Sequence, residues 1–410
     1  MGAEWIINLQ GEWKSTNAER EEEKRNRKCI YRVPKYMKDP NSNAYAPQVI
    51  SFGPYHYCDG AHLKLMEPAK RRILKHYLDE VDKTLETVVS AMKKEARALM
   101  DAYDGLEEPW TDEDRFSELM ILDGCCLLQF LLFEGNFSDC IDEQLRLCVA
   151  KVTTDVLLLE NQLPLRVLQI LLDIGWGKIG AVDALQLVDG LLAGIYTLGD
   201  IPKIGCHILD VFRITALGVG DFVYDGRGDV KLVTLAELAE FGVRLKESAA
   251  VGLRSITFQG SVLRLPYIPL DILTESLLLN FVAFEHMHSL HPDVLSFLTF
   301  MDRLIDSRGD DKLLQRNMAL LQRRKIIGGL TGSDADLAAW FHGVVKEHLF
   351  LLRGMLPKSQ GVSVDRELIQ YCNKKWPKFR AFCIRGCRGW LLKSILATLS
   401  LILLHTSFLM

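Results

Sequence analysis

The 410 residues carry 49 basic and 53 acidic side chains for a formal net charge of -4, so no excess of cations is available for phosphate and nucleic-acid binding is set aside. Apolar content of 49% beside 25% charged residues is ordinary for a globular chain with a sizeable core. The opening residues, Met-Gly-Ala-Glu-Trp-Ile-Ile-Asn, lack the basic and apolar regions of a signal peptide, and ten irregularly spaced cysteines, several in apolar runs (Cys125, Cys126, Cys148), read as reduced thiols of a cytosolic body.

Residues 1–28 form an amphipathic and charged segment, ending in the mixed run Arg20 to Lys28. A strap follows, Cys29 to His56, rich in Pro, Gly and aromatics, and therefore extended and turning rather than helical. Pro68 fits a first helical turn, and Ile73, Tyr77, Val81, Leu85, Val88, Met92, Ala96 and Leu99 continue at helical spacing, which predicts one long helix to about Ala102. Past an acidic loop, Phe116 to Phe133 is apolar nearly all round and predicts a helix buried on every side. Cys148 to Leu159 reads as another apolar helix, broken at Glu160-Asn161-Gln162-Leu163-Pro164 and resumed through Leu172. Glycines blur the periodicity from Gly175 to Gly228.

Thr234 with Glu237 three residues on is a capping box, which starts a short helix to about Leu245. Leu253 to Leu265 alternates around a glycine turn as a β-hairpin. Helices are expected from Asp271 to Phe284, continuing toward Pro292, and then over Leu295–Ser307, Lys312–Gln322 and Leu337–Leu352, the last capped from the turn Gly328 to Asp334. The fold class expected is mainly α: a large multi-helix body with a small β-hairpin and an extended N-terminal strap, followed by a C-terminal transmembrane helix. Residues 29–388 form the helical body and 389–410 the anchor.

Nothing in the body spells a known chemistry. Asp123, Asp155, Glu160, Asn161 and Gln162 lie in or beside strongly apolar helices, where an unpaired charge is costly, so each requires partners; the expected role is a structural hydrogen-bond network tying helices to strap. The rival expectation is an enzyme using the carboxylates of Asp123, Asp155 and Glu160 for acid–base work. His56-x-Cys58 with His62, and Cys383-x-x-x-Cys387 with Cys372, are incomplete as zinc motifs, and Gly328 to Ser333 lacks the Lys and preceding strand of a phosphate loop. No cofactor, metal or catalytic residue is assigned.

The tail carries the most pronounced physical pattern. Lys374, Lys375, Lys378, Arg380, Arg385, Arg388 and Lys393 follow the last acid, Glu367, with Trp376, Phe379 and Phe382 among them. Trp390, Leu391, Leu392, Ile395, Leu396, Leu399, Leu401, Ile402, Leu403 and Leu404 then supply an apolar stretch near the ~20 residues that cross a bilayer. Cations beside a span stay cytoplasmic, so the expectation is a single-pass protein with a C-terminal anchor, a cytoplasmic body, the lipid bilayer and an unidentified protein as partners, and Cys383 and Cys387 placed for palmitoylation.

Ile30-Tyr31-Arg32-Val33-Pro34, Ile50-Ser51-Phe52-Gly53-Pro54-Tyr55-His56, Met120-Ile121-Leu122-Asp123-Gly124-Cys125, Asp155 with Leu158 to Pro164, Asn280 with Ala283-Phe284-Glu285, Met301-Asp302 and Gly332-Ser333-Asp334 occur in an order that resembles the plant membrane-protein family called domain of unknown function 247. The family's aromatic-Pro-Trp close appears here as Arg388-Gly389-Trp390. The resemblance implies a plant protein with a helical body and a C-terminal anchor, no established enzyme activity, and, for some grass members, a role in self-incompatibility recognition. A protein-interaction, recognition or signalling role is the resulting expectation, with a structural membrane scaffold as its near alternative.

Overall fold

A computed structural model describes residues 28–132, 149–176, 205–218, 220, 222, 234–269, 272–306, 311–323, 327–328, 341–343, 345–346 and 364–384. In chain order its elements are α1 (Lys35–Lys38), a 3-10 turn (Ser42–Tyr45), α2 (Ala61–Lys64), α3 (Glu67–Val81), α4 (Leu85–Met100), α5 (Glu113–Leu132), α6 (Val149–Val156), α7 (Leu165–Trp176) and α8 (Ile208–Leu217). There follow α9 (Leu235–Phe241), β1 (Arg244–Glu247), β2 (Thr257–Gln259), β3 (Val262–Leu265), β4 (Ile268–Pro269), α10 (Ile272–Met287), α11 (Asp293–Ile305), α12 (Asp311–Arg323), β5 (Ile327–Gly328) and α13 (Val364–Cys372). Residues 375–384 are also helical and are termed α14. The chain divides into two compact units, one running to Ala216 and including Ile272–His291, the other made of Leu217–Asp271 and the chain from Pro292 onward.

In the first unit α5 is the centre. Apolar residues occupy every face of it, and Phe116, Met120, Cys126 and Phe130 are fully buried, as expected for a helix surrounded by others. α3, α4 and α7 pack against it. Gly124 sets the approach of α7: a Cβ there would lie 2.7 Å from Val167 Cγ1 and 2.9 Å from Leu171 Cδ1. The single helix expected from Pro68 to Ala102 is in fact two. Asp82 turns left-handed (φ 50°, ψ 50°) and ends α3, and the Thr84 side chain accepts the Thr87 N–H to cap α4. The apolar spacing runs through the break because both helices face α5 with their buried stripe.

In the second unit the Thr234 capping box forms as the spacing predicts: the Thr234 side chain accepts the Glu237 N–H while the Glu237 carboxylate accepts the Thr234 N–H. The helix stops earlier than Leu245, because Gly242 (φ 92°) closes it, with Gly242 N–H bonded to Ala239 O and Val243 N–H to Leu238 O. The hairpin expected between Leu253 and Leu265 exists as β2 and β3, paired Thr257 to Arg264 and Gln259 to Val262. It belongs to a larger element. β1 adds to β3 in parallel, Leu245 opposite Leu263, to give a mixed sheet of order β1-β3-β2. β4 and β5 form a separate parallel pair, Ile268 opposite Ile327. Of the helix expected over Leu337–Leu352, residues 341–343 and 345–346 are described and helical.

The C-terminal transmembrane helix is a correction to the expected fold class. Among the described residues no helix is long and apolar enough to cross a membrane. α5 has the 20-residue length, yet Glu113, Asp114, Arg115, Glu118 and Asp123 lie within it. The stretch expected to anchor the chain, 389–410 with Trp390 through Leu404, lies outside the described residues, and its apolar heart between Lys393 and His405 is short of the ~20 residues a span requires.

The β2–β3 turn yields a test of the fold. Gly260 (φ 56°) and Ser261 (φ 82°) are both left-handed, as a type I′ turn demands, but serine adopts that region poorly and Asn-Gly suits it best. A Cβ on Gly260 meets nothing within 4 Å. The double substitution Gly260→Asn, Ser261→Gly is expected to stabilise the second unit by about 0.5–1 kcal/mol, read as a raised urea midpoint; a lowered midpoint would contradict this turn geometry.

Candidate functional site

Asp123 of α5 and Asp155, Glu160, Asn161 and Gln162 meet the strap inside the first unit, each 2% exposed or less. The sequence places them there for a reason. Strap residues 48–53 follow an irregular path, bent at Gln48, Val49 and Gly53 and outside any helix or strand, so their N–H groups need acceptors, and buried N–H groups left bare cost about 1–3 kcal/mol each.

Asp155, near the C-terminal end of α6, accepts three consecutive strap amides: Gln48 N–H to Oδ1 at 2.8 Å, and Val49 and Ile50 N–H to Oδ2 at 2.7 and 2.9 Å. Burial pushes its carboxyl up to about 6, against the pull of those three donors. Asn161 continues the series, its Oδ1 accepting Phe52 N–H at 2.7 Å while its Nδ2 donates to Ile50 O and Asp155 O at 3.1 and 2.8 Å. Asp123 takes the next amide, Gly53 N–H, at 2.8 Å. At Gly53 (φ 72°) a Cβ would stand 2.9 Å from Gln162 O and 3.0 Å from Tyr103 Oη, so the strap lies against backbone where only glycine fits.

Charge balance at Asp123 comes from α3. The Lys70 ammonium, itself 0% exposed, lies 2.7 Å from Asp123 Oδ1 and 2.7 Å from Glu67 Oε1, and donates to Ser51 O at 2.6 Å. Burial alone would lower the lysine, but the two carboxylates outweigh it and hold it above its ordinary range; burial likewise pushes Asp123 up to about 6 against the attraction of Lys70. Glu160 binds the first part of the strap. It accepts Val33 N–H, contacts Lys38 Nζ at 2.6 Å through Oε1 and His56 Nε2 at 2.9 Å through Oε2. Burial raises this carboxyl too, yet His56 and Lys38 prevail and keep it below the usual range.

Gln162 turns inward. Its Nε2 donates to Val156 O (2.6 Å) and Leu158 O (2.8 Å), capping the end of α6, and its Oε1 accepts Leu209 N–H of α8 at 3.1 Å. Asn280 of α10 completes the set: Oδ1 accepts Leu159 N–H and Nδ2 donates to Ala44 O, both at 2.8 Å. The structure therefore brings Asp123, Asp155, Glu160, Asn161 and Gln162 into one network, and adds Lys70, Lys38, His56 and Asn280. Lys70 had a signal in the sequence, since it shares a helical stripe with Ile73, Tyr77 and Val81; Asn280 stood out as a polar residue in an apolar helix and as part of the family resemblance with Ala283-Phe284-Glu285.

The tail residues fall elsewhere. Lys374, Lys375, Lys378 and Arg380 lie on or just before α14 and are exposed, with Arg385 and Arg388 outside the described residues. Pro377 and Ala381 face inward, and Arg380 runs beside Gly242. Trp376, Phe379 and Phe382, spaced three apart on the helix, are 70%, 57% and 75% exposed.

These features define a mainly helical protein whose N-terminal strap is fastened by buried side chains. The match to the family model DUF247, a plant protein of unknown function, extends over residues 30–405, and the chain belongs to that family. The UPF0481 protein At3g47200 of Arabidopsis thaliana is 26% identical over 397 residues, covering 86% of this chain and 79% of that one. A putative UPF0481 protein, At3g02645, also of Arabidopsis thaliana, is 31% identical over 134 residues, 32% of this chain and 24% of its own length. No solved structure matches.

Asp155→Asn tests the clamp. The carboxamide replaces one acceptor oxygen with an NH2 aimed at strap N–H groups, so unfolding free energy is expected to fall by about 1–3 kcal/mol in urea denaturation, and a change under about 0.5 kcal/mol would show that the three amides do not depend on it.

Proposed function

We propose that this chain is a protein-interaction component rather than a catalyst, and that it meets an acidic protein partner through α14. The observation that carries the reading is the exposure of Trp376, Phe379 and Phe382 along one helix, with Lys374, Lys375, Lys378 and Arg380 around them. Large aromatics supply most of the energy at interface centres, and a cationic rim favours a partner of opposite charge. A face of this kind left in water is unusual on a monomer unless something covers it.

The carboxylates support the same reading from the other side. Those of Asp123, Asp155 and Glu160 accept strap N–H groups or pair with Lys70, Lys38 and His56. A general acid or base must present its proton to a substrate, and these oxygens are directed at the chain's own backbone and cations.

A photo-crosslinker introduced at Phe379 tests the proposal in native membranes and extracts, with one at exposed Leu65 of the first unit as the control position. The expected result is a discrete acidic partner captured from Phe379 and lost when Trp376 and Phe382 are both replaced by Ser. Two results would overturn it: equal capture from both positions, or binding of the purified chain to phosphatidylserine vesicles that the same double substitution abolishes, which would give the face to lipid.

A further inference from the structure

Where the strap begins, three metal-compatible side chains converge and a carboxylate lies beside one of them. Cys29 Sγ, Cys206 Sγ and a ring nitrogen of His207 all lie within 4.8 Å of one another, and Asp210 Oδ2 stands 3.4 Å from Cys206 Sγ. Both cysteines are free thiols. Cys206 and His207 immediately precede α8 and Asp210 lies in its first turn, so three of the four are placed by one local structure, while Cys29 arrives with the strap, whose residues 29 and 30 both bond Ala102 O at 2.9 Å.

The hydrogen bonds around His207 leave one nitrogen suited to coordination. Nε2 lies 3.0 Å from the Cys29 carbonyl oxygen and must carry the proton that it donates there. Metal-bound histidines characteristically donate their second N–H to a carbonyl or carboxylate in this way, which fixes the ring and directs the other nitrogen at the metal. That other nitrogen, Nδ1, accepts Asp210 N–H at 3.1 Å. The same N–H also reaches His207 O at 3.1 Å, so withdrawing Nδ1 leaves no orphaned donor.

We infer that Cys29, Cys206, His207 through Nδ1 and Asp210 form a zinc site that clips the start of the strap to α8. Two thiolates, an imidazole and a carboxylate make a donor set of the borderline-soft kind that zinc prefers, in its usual fourfold number. Zn–S bonds of about 2.3 Å and Zn–O bonds of about 2.0 Å at tetrahedral angles put sulfur and oxygen roughly 3.5 Å apart, close to the 3.4 Å between Cys206 Sγ and Asp210 Oδ2. Cys29 Sγ, Cys206 Sγ and the His207 nitrogen, within 4.8 Å of one another, close by about 1 Å within the reach of thiol χ1 rotation, and Asp210, whose carboxylate lies against Cys206, completes the set by rotation of its own side chain. Cys29 and His207 are buried, but Cys206 and Asp210 are half-exposed, which opens one side of the cluster to an ion arriving from water. Binding releases the two thiol protons to solvent and involves no redox change. No short sequence motif announces the site, because Cys29 stands far from the Cys-His-x-x-Asp run that supplies the other ligands.

The test uses the full chain, purified reduced and stripped with a chelator, then titrated with cobalt(II) and zinc(II). The expected result is one equivalent of cobalt, a thiolate-to-cobalt charge-transfer band with tetrahedral d–d bands, and displacement by zinc. Cys206→Ser, at a half-exposed position, should abolish the charge-transfer band while far-UV circular dichroism is retained, and Asp210→Asn should weaken binding about 10-fold or more. Failure of the reduced chain to bind cobalt, a spectrum unchanged by Cys206→Ser, or recovery of Cys29 and Cys206 joined as a disulfide in the protein isolated under thiol-blocking conditions would each overturn the assignment.

Discussion

The first unit depends on how an irregular segment outside helix and sheet satisfies its backbone. Residues 48–53 run along the helices with their N–H groups turned inward, and acceptors come from side chains: Asp155 for Gln48, Val49 and Ile50, Asn161 for Phe52, Asp123 for Gly53. A neighbouring strand could not have done this, since it bonds only alternate amides and these are consecutive. Carboxylates make stronger acceptors, because a charge-assisted bond contributes roughly twice a neutral one, but they bring charge into the core. Lys70 exists to answer that charge at Asp123, and Lys38 and His56 answer it at Glu160.

From this constraint the rest of the unit follows. α5 has to be buried on every face so that Asp123 faces the strap in a region of low dielectric, where a pair with Lys70 holds; breaking a pair of this kind costs about 3–5 kcal/mol. The interruption at Glu160-Asn161-Gln162 has to stay irregular, since its three side chains reach three different places: the first part of the strap, residues 50–52, and the ends of α6 and α8. The polar trio therefore orders the strap and helices that join there, and its members are occupied by the chain's own groups.

Part of this was legible in the sequence. The all-round apolar character of 116–133, the capping box at Thr234 and the alternation around Gly260 depend on neighbours a few residues apart, and local periodicity records such neighbours well. The break at Asp82 was hidden because the apolar stripe keeps its phase across it, and β1 was hidden because Arg244-Leu245-Lys246-Glu247 is one apolar residue among charges, given strand form only by its pairing with β3. The need of Asp123, Asp155 and Glu160 for partners was visible from their apolar surroundings; the partners were not, since Gly53, Ile50 and Val33 lie 70, 105 and 127 residues away. The cluster of Cys29, Cys206 and His207 is a product of the same long-range closure. The exposed face of α14 stands between these cases: its aromatics and cations were readable, while their exposure along one helix face required the structure.

Native-state hydrogen exchange addresses the strap's dependence on buried acceptors most directly. The amides of Val33, Val49, Ile50, Phe52 and Gly53 belong to a segment outside regular helix or sheet, where exchange would ordinarily be rapid. If the buried side chains hold them as described, they exchange as slowly as the core amides of α5, opening only with global unfolding. Exchange at these five amides at the rate of exposed loops, with α5 protected, would contradict the account.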